Sequence, residues 1–457
     1  MAGTAADHVA TQTRIVRRPA GDNVQHVAAD ICVIGAGAAG ASAALEAARL
    51  GRKVVLVDGL PTLGGQMVNS IIGTFCGLFA NGTHGHQFTY GMAEDLLRDL
   101  EKEPGLIYRR HGPVTTIVYY DEVALGRWTE EAIRKAGITV VLGAVLRSAE
   151  RDGRRIKSID LATRYGDMRI TATGFIDASG DATLAWLAGL PCQESAGRQV
   201  YGTQMVVLEH IVEDAHPTRD EMAATMTEHA ARYDLKRKNA VSFVIPGRGI
   251  AVLNMTHTDT PLEPLAAARS QLEGKAQADR AVKMLKEQFP ACFGNARVRA
   301  YGNPGIRQTR WIKGRHQLTL DEVRKGVKFD DAIGRTAWPV ELHDHSAGYV
   351  WETFPEDHTH YIPLGSLTPE DCDNLVAAGR CIDADLAALS SVRVMGPCIA
   401  MGAAAAHALD LAGSGSVHQI DIKALKARLH DNLERNEPQE KTEMDAEMRR
   451  HAERKMP

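Results

Sequence analysis

Between Ala29 and Asp58 the chain reads as a strand, a glycine-rich turn, a helix and a second strand. Ala29 to Ile34 is a short apolar run, Gly35-Ala-Gly-Ala-Ala-Gly40 follows at once, an alanine-rich helical stretch reaches Leu50, and Lys53 to Val57 is a second apolar run after Gly51. This is a βαβ unit with a G-x-G-x-x-G placed between strand and helix. Gly35 permits the tight turn, Gly37 lets the backbone approach a pyrophosphate, and Gly40 allows the helix to pack closely on the strand. The helix N-terminus offers unpaired N–H groups and the positive end of its dipole to phosphate. Asp58 ends the second strand, where a carboxylate accepts hydrogen bonds from adenosine ribose hydroxyls and disfavours a 2′-phosphate. Strand, turn, helix and acid together point to a bound dinucleotide. FAD and NAD present the same adenosine diphosphate, so this unit alone does not separate them.

The rest of the composition narrows the class. With 457 residues, 44% of them apolar and 24% charged, the chain has material for two or three globular domains. A net charge of −4 provides no basic field for nucleic acid or an anionic membrane, so neither is expected as a partner. The seven cysteines, Cys32, Cys76, Cys192, Cys292, Cys372, Cys381 and Cys398, are odd in number and irregularly spaced, which argues for a reducing compartment and a cytoplasmic protein. Residues 1–27 read as a solvated extension with no apolar core of signal-peptide length. Val392 to Leu411 is the longest apolar run, and Arg393, Pro397, His407 and Asp410 interrupt it, so a buried helix is expected in place of a membrane span.

Helices are expected near Phe88 to Lys102 and Glu122 to Ala136, and strands near Gly137 to Leu142, Ile156 to Thr163 and Met168 to Ile176. Met205 to Val212 and Val241 to Asn254, the latter broken at Pro246-Gly-Arg-Gly249, suggest an antiparallel sheet, with an amphipathic helix over Pro261 to Phe289. Tyr301 to Ser366 is rich in Arg, His, Trp and Tyr and lacks clear periodicity, which reads as binding loops. Asn374 to Ala378 is another strand and Pro397 to Leu411 a buried helix.

Further motifs extend the first. Gly64-Gly65-Gln66 follows Asp58, Phe175-Ile-Asp-Ala-Ser-Gly-Asp-Ala182 is a strand closing on a Gly-Asp turn, Asn374-Leu-Val-Ala-Ala-Gly-Arg-Cys-Ile-Asp383 ends similarly, and Ser390-Ser-Val-Arg-Val-Met-Gly-Pro-Cys398 leads into an alanine-rich helix. With these segments the sequence resembles the FAD-dependent oxidoreductases of the glutathione-reductase-like flavoprotein superfamily. More narrowly, it resembles the family related to fumarate reductase flavoproteins and heterodisulfide reductase flavin subunits. The resemblance covers about residues 28 to 415. It implies an α/β Rossmann-type FAD domain assembled from discontinuous segments, 28–204 and 371–415, with an α+β substrate domain containing an antiparallel sheet inserted over 205–370 and a charged helical tail over 416–457. By the same resemblance Gly35, Gly37, Ala38, Ala39, Gly40, Asp58 and Gly59 hold the ADP part, and Gly64, Gly65 and Gln66 lie toward the flavin. Val145 contacts adenine, while Gly180, Asp181, Gly379 and Asp383 lie beside the pyrophosphate and ribityl chain. Val394 and Met395, with the helix starting near Pro397, set backbone N–H groups against the flavin pyrimidine edge.

No second G-x-G-x-x-G follows a strand, since Gly413-Ser-Gly415 comes after a helix and lacks the third glycine, so no dedicated NAD(P)H domain is expected. No Cys-x-x-Cys or Cys-x-x-x-x-Cys lies beside the flavin motifs, and lone Cys76 reads as a buried small hydrophobe. A substrate that exchanges hydride directly with the flavin is then the expected partner. Gly305-Ile-Arg-Gln-Thr-Arg-Trp-Ile-Lys-Gly-Arg315 resembles a family stretch whose arginines face the substrate, although Gln308 replaces an acid common there. Arg307, Arg310, Lys313 and Arg315 can clamp a carboxylate, or form a solvated strand face. His343 with His345 and His358 with His360 are pairs at period 2; on strands each pair shares a face, as a metal chelate or an acid and base require, and surface turns are the plainer alternative. Tyr361 and Arg393 join His343, His345 and Arg310 as catalytic candidates, and no metal site is assigned. The expected function is hydride transfer between a small polar substrate and flavin. A flavin monooxygenase reduced by NAD(P)H and a flavin-bearing electron-transfer subunit are the alternatives, and the external electron acceptor and any homo-oligomer are left open.

Overall fold

The structure, a computed structural model, describes residues 15, 24–82, 85–112, 114–195, 200–239, 241–346 and 348–436. At its centre lies a seven-stranded sheet. Val24–Ile34 sits between Val54–Asp58 and Gly166–Asp177, parallel to both, and Thr139–Leu142 extends the parallel set beyond Val54–Asp58. Ile31 to Ile34 and Val54 to Val57 are buried, covered on both faces, which is why they appear as unbroken apolar runs instead of alternating ones. Gly166–Asp177 is a shared strand. Its first part closes an antiparallel meander with Arg155–Thr163 and Val145–Asp152, while Phe175 to Asp177 run parallel to Leu375–Ala377. The discontinuous assembly expected from the motifs is thus realised in one sheet.

The helix Ala38–Arg49 covers one face and packs against Met395–Ala412. Small residues bring the two backbones together: a Cβ on Gly402 would stand 2.0 Å from the Ala39 carbonyl oxygen. Met395–Ala412 is long and apolar enough to cross a membrane, and most of it is buried inside the fold. Its nearly all-round apolar surface is that of a core helix. The opposite face of the sheet is covered by Leu184, Ala185, Ile312 and Cys381.

The expected antiparallel sheet is present in the order Val241–Ile245, Ile250–Asn254, Val206–Glu209, Arg297–Tyr301. Behind it lies the helix Pro264–Gln288, begun by a proline in its first turn and by Glu263, whose carboxylate accepts the N–H groups of Leu265 and Ala266. Val206, Leu208, Met226, Ala251, Ala281 and Leu285 give this part an apolar core of its own.

Two segments differ from the sequence reading. Residues 301–366 are not a set of loops: Arg310–Ile312, Ala332–Thr336, Val340–Asp344, Gly348–Glu352 and His360–Pro363 are short paired strands, joined by the helix Leu320–Lys325. Strands this short carry too few residues to show a period, and their buried polar side chains mask it further. Leu318, Val323, Ile333 and Ile362 share the core of the dinucleotide-binding unit. A three-stranded sheet of Thr74–Phe75, Ile107–His111 and Thr116–Tyr120 also had no sequence counterpart. The first strand begins at Val24, within the expected extension, and the chain beyond 416 forms Ile422–Arg428 and His430–Glu434; residues 1–14, 16–23 and 437–457 lie outside the described residues.

Candidate functional site

The glycine-rich turn is built as its mechanism requires. Gly35 has φ +96°, and a Cβ there would stand 2.3 Å from the Ala178 carbonyl oxygen. A Cβ on Gly40 would stand 1.7 Å from the Gly35 carbonyl oxygen, so helix and turn touch through backbone alone. Gly37 differs: its backbone is extended at φ −73°, ψ −168°, and a Cβ would find only the Gly65 Cα, at 3.9 Å. Protein packing leaves that space clear at the start of the Ala38–Arg49 helix, and a pyrophosphate fits it. The Gly64-Gly65 turn closes the other side, with the Gly64 N–H donating to the Ala36 carbonyl at 3.0 Å. Ala38 and Gln66 are half-buried beside it, and Ala39 is buried.

The Asp58 carboxylate accepts the N–H of Ala36 at 2.6 Å and of Leu60 at 2.7 Å, and burial pushes its carboxyl above the usual range. Both oxygens keep further lone pairs for ribose hydroxyls. Gly59 follows, and Val145 lies past Ala144, whose N–H donates to the Asp58 carbonyl at 3.1 Å. At 63% exposure Val145 is an uncovered apolar side chain on a charged strand, a surface for a flat heterocycle.

The two strand-end turns meet this cradle. Buried Asp177 accepts the Ser179 hydroxyl at 2.6 Å and the Ala185 N–H at 3.0 Å, and the Cys381 sulfur receives the N–H groups of Gly180 at 3.1 Å and Ala182 at 3.3 Å. A Cβ on Gly379 would touch that of Ala39 at 3.3 Å, which brings the second turn to the first helix. Arg380 crosses Gly180, and its buried Nη1 has no hydrogen-bond partner, standing 3.8 Å from an oxygen of Asp181. An orphaned guanidinium N–H beside a glycine cradle matches the charge of a pyrophosphate. The Asp383 carboxylate, by contrast, is taken up by Gln193 at 2.7 Å, the Gly314 N–H at 2.9 Å and Gln317 at 3.2 Å. It fastens the 313–317 segment to this turn. At Val394 the helix Met395–Ala412 begins with no side-chain cap, and the Gly396 N–H donates to the Cys76 carbonyl at 3.0 Å. The residues present therefore fit FAD: Gly37, Gly65 and Arg380 would hold the pyrophosphate, Asp58 and Val145 the adenosine, and Val394 and Met395 the far end.

Beside that far end lies a buried group of cations. Arg237 and Arg307 are buried and Arg393 half-buried around Glu341. Arg393 donates to the Glu341 carbonyl at 2.9 Å, Arg307 to the Tyr201 carbonyl at 2.7 Å, and Arg237 to the amides of Asn239 and Asn254. Burial lowers the pKa of all three guanidinium groups, that of Arg237 to about 10. His343 is fully buried, its Nδ1 3.0 Å from His257 Nε2 and its Nε2 3.4 Å from Glu341 Oε1. Burial first, then the neighbouring arginines, drive the pKa values of His343 and His257 down, so both rings are neutral at pH 7. Tyr201 stacks on His257 at 4.5 Å and on His345 at 3.7 Å.

The sequence candidates separate accordingly. His343 and Arg393 meet at Glu341, with His345 at the margin, one ring away through Tyr201 and 3.5 Å from Asp259. Arg310 lies elsewhere, paired with Glu194 at 3.1 Å and stacked over Trp186 at 4.3 Å. Lys313 and Arg315 are exposed. Tyr361 stands under Lys328 and opposite Arg335, while His360 bonds Ser391 at 2.9 Å and His358 at 3.1 Å in a separate network. Among the described residues no group of three or more His, Cys, Asp or Glu is arranged to hold a metal. The residues missed from sequence are Arg237, His257, Glu341 and Arg380. Arg380 had a signal, its place inside the second Gly-Asp motif; the other three come from strand ends and loops with no local pattern.

No curated protein sequence matches the chain. Among solved structures, it is similar to a geranylgeranyl bacteriochlorophyll reductase-like protein from Thermoplasma acidophilum, at 12% identity and TM-score 0.44, covering 94% of this chain and 84% of that one. It is also similar to the flavin-dependent brominase Bmp2, at 14% identity and TM-score 0.43 over 89% and 83% of the two chains. A third is p-nitrophenol 4-monooxygenase from Pseudomonas putida DLL-E4, at 11% identity and TM-score 0.41 over 89% and 82%. Likeness this distant carries no argument about substrate or reaction. The sequence pattern of the FAD dependent oxidoreductase family matches residues 30–429, and with the cradle described above the chain belongs to that family, an FAD-dependent enzyme.

Proposed function

We propose that this protein oxidises or reduces a small carboxylate-bearing substrate by hydride exchange with its flavin. One observation carries the reading: three arginines, Arg237 and Arg307 buried and Arg393 half-buried, surround a single carboxylate, Glu341, beside the helix start that fits the flavin pyrimidine. Cations withdrawn from water that bond only carbonyl and amide oxygens are costly, and an anionic ligand offsets that cost. A guanidinium matches a carboxylate with two parallel N–H donors, which fixes orientation as well as charge. Bound FAD supplies a two-electron acceptor or donor at N5. The chain's own residues orient the substrate: Arg307 and Arg393 hold its anion, and the apolar walls around Trp338 and Val394 keep water from the reacting carbon.

The test is anaerobic titration of the FAD-loaded protein with pooled hydroxy acids, amino acids and amines, followed by absorbance. Bleaching by a carboxylate-bearing pool and not by simple amines supports the reading. Arg307→Met then raises the half-saturating concentration about 10- to 100-fold, the usual weight of a charged hydrogen bond in a buried site. Bleaching by NAD(P)H alone favours the monooxygenase. Bleaching by nothing, with a protein partner retained on mild purification, favours the electron-transfer subunit.

A further inference from the structure

We propose that Glu341 is the acid–base residue that touches the substrate, with His343 and His257 behind it as positioning residues. The assignment rests on the carboxylate reading above and adds the group that handles the proton. A base must present a free lone pair to the atom it deprotonates. His343 has none to present: its two ring nitrogens face His257 at 3.0 Å and Glu341 at 3.4 Å, and the side chain has no exposed surface. The Glu341 side chain retains 22% exposure, and only its Oε2 has a second partner, Trp338 Nε1 at 3.3 Å. The groups that face it are His343 and Trp338 from its own stretch, Arg393 at the end of the helix Leu386–Val392, Arg307 and Arg237 from the substrate side, Tyr349 across the hairpin, and Cys76 beside the Met395 helix start. Glu341 therefore stands where the anion site meets the flavin end of the cradle.

The paired histidines suit a residue that must change charge. With Glu341 ionised, His343 Nε2–H donates to it and His343 Nδ1 accepts from His257 Nε2–H. With Glu341 protonated, its O–H donates to His343 Nε2 and the ring pair reverses. Both tautomers keep the contact between Glu341 and His343 and the contact between His343 and His257, so Glu341 gains or loses a proton without breaking either. In the oxidative direction the substrate O–H or N–H bond breaks and its proton goes to a Glu341 oxygen. The adjacent C–H bond breaks with its electron pair leaving as hydride to the flavin, and a C=O or C=N bond forms. The reductive direction is the reverse.

The experiment uses FAD-loaded protein and acetate as the probe, with calorimetry in buffers of different ionisation enthalpy from pH 6 to 8. A second carboxylate placed beside Glu341 repels its charge, so acetate binding favours the protonated form of Glu341, takes up protons in the parent and weakens toward alkaline pH. Glu341→Gln is isosteric; it binds acetate with no proton uptake and more tightly than the parent at pH 8. His343→Gln retains acetate binding with a displaced pH midpoint, a change that lost packing alone does not produce. Acetate binding to the parent without proton uptake overturns the assignment, as does unchanged uptake in Glu341→Gln, and the parent measurement needs no variant to fold. Acetate that fails to bind the parent at all removes the carboxylate reading and this assignment with it. Binding abolished by Arg307→Met with uptake intact in Glu341→Gln removes the assignment alone.

Discussion

Gly37 offers a way to separate the cofactor's needs from the fold's. Its φ of −73° is open to any residue, and an alanine Cβ meets only the Gly65 Cα, at 3.9 Å, an ordinary contact. In the apoprotein Gly37→Ala loses a little as a weaker N-cap and gains about 0.4–1 kcal/mol from a stiffer unfolded chain, so the two nearly cancel. With FAD the same methyl occupies the clear space at the helix start, where overpacking costs about 1–3 kcal/mol, or roughly 5- to 150-fold in affinity. Gly40→Ala reverses the pattern. Its methyl would stand 1.7 Å from a backbone oxygen that has no room to move, so the apoprotein itself is destabilised or fails to fold. The assay pairs thermal unfolding of each apoprotein with titration of FAD by the quenching of its fluorescence. The reasoning is refuted if Gly37→Ala binds FAD as the parent does, or if its apoprotein melts far below the parent.

Two further outcomes follow from buried groups. Burial lowers the His360 pKa to about 3, so the folded state keeps the ring neutral while the unfolded chain protonates it near 6.5. Stability contributed by that neutral ring is complete above pH 6.5 and falls by about 1.4 kcal/mol per unit as pH drops toward 3; His360→Gln flattens the slope in denaturant titrations taken from pH 7 to 4. Asp177→Ala leaves the buried N–H of Ala185 and the Ser179 hydroxyl without their acceptor, at about 1–3 kcal/mol each. It lowers the melting temperature and, because the turn carrying Gly180 loosens, weakens FAD retention during gel filtration.

What was legible in the sequence was whatever chemistry the chain writes locally. The dinucleotide unit spans about 30 residues, and its glycines, small-residue helix and terminal acid stand in fixed order, so turn, helix and second strand were found to within a residue, while the first strand starts five residues earlier, at Val24 in place of Ala29. The cluster around Glu341 is assembled differently. Arg237 leaves a loop after the helix Arg219–His229, His257 follows the strand Ile250–Asn254, and Glu341 lies within Val340–Asp344. Nothing in the spacing of these residues announces that they share a wall, and Glu341 looks like any other of the 57 acidic residues until the fold puts three arginines around it. In the 305–315 segment the reverse holds. Four cations look equivalent in sequence, and only the backbone course decides that Arg307 turns inward while Arg310 covers Trp186 of the helix Thr183–Leu187.

The shared strand Gly166–Asp177 has a consequence for how the chain is made. Its last three residues keep an open hydrogen-bonding edge until Leu375–Ala377 arrives, roughly 200 residues later. At about 5–20 residues per second on the ribosome, that edge and the apolar face beneath it wait about 10–40 s for their partners. During that interval the nascent chain presents Phe175-Ile176 as a template for any other extended segment. The insertion between the two halves of the nucleotide-binding unit, which carries Arg237, Arg307 and Glu341, is therefore also the length of time for which this protein must be kept from its neighbours.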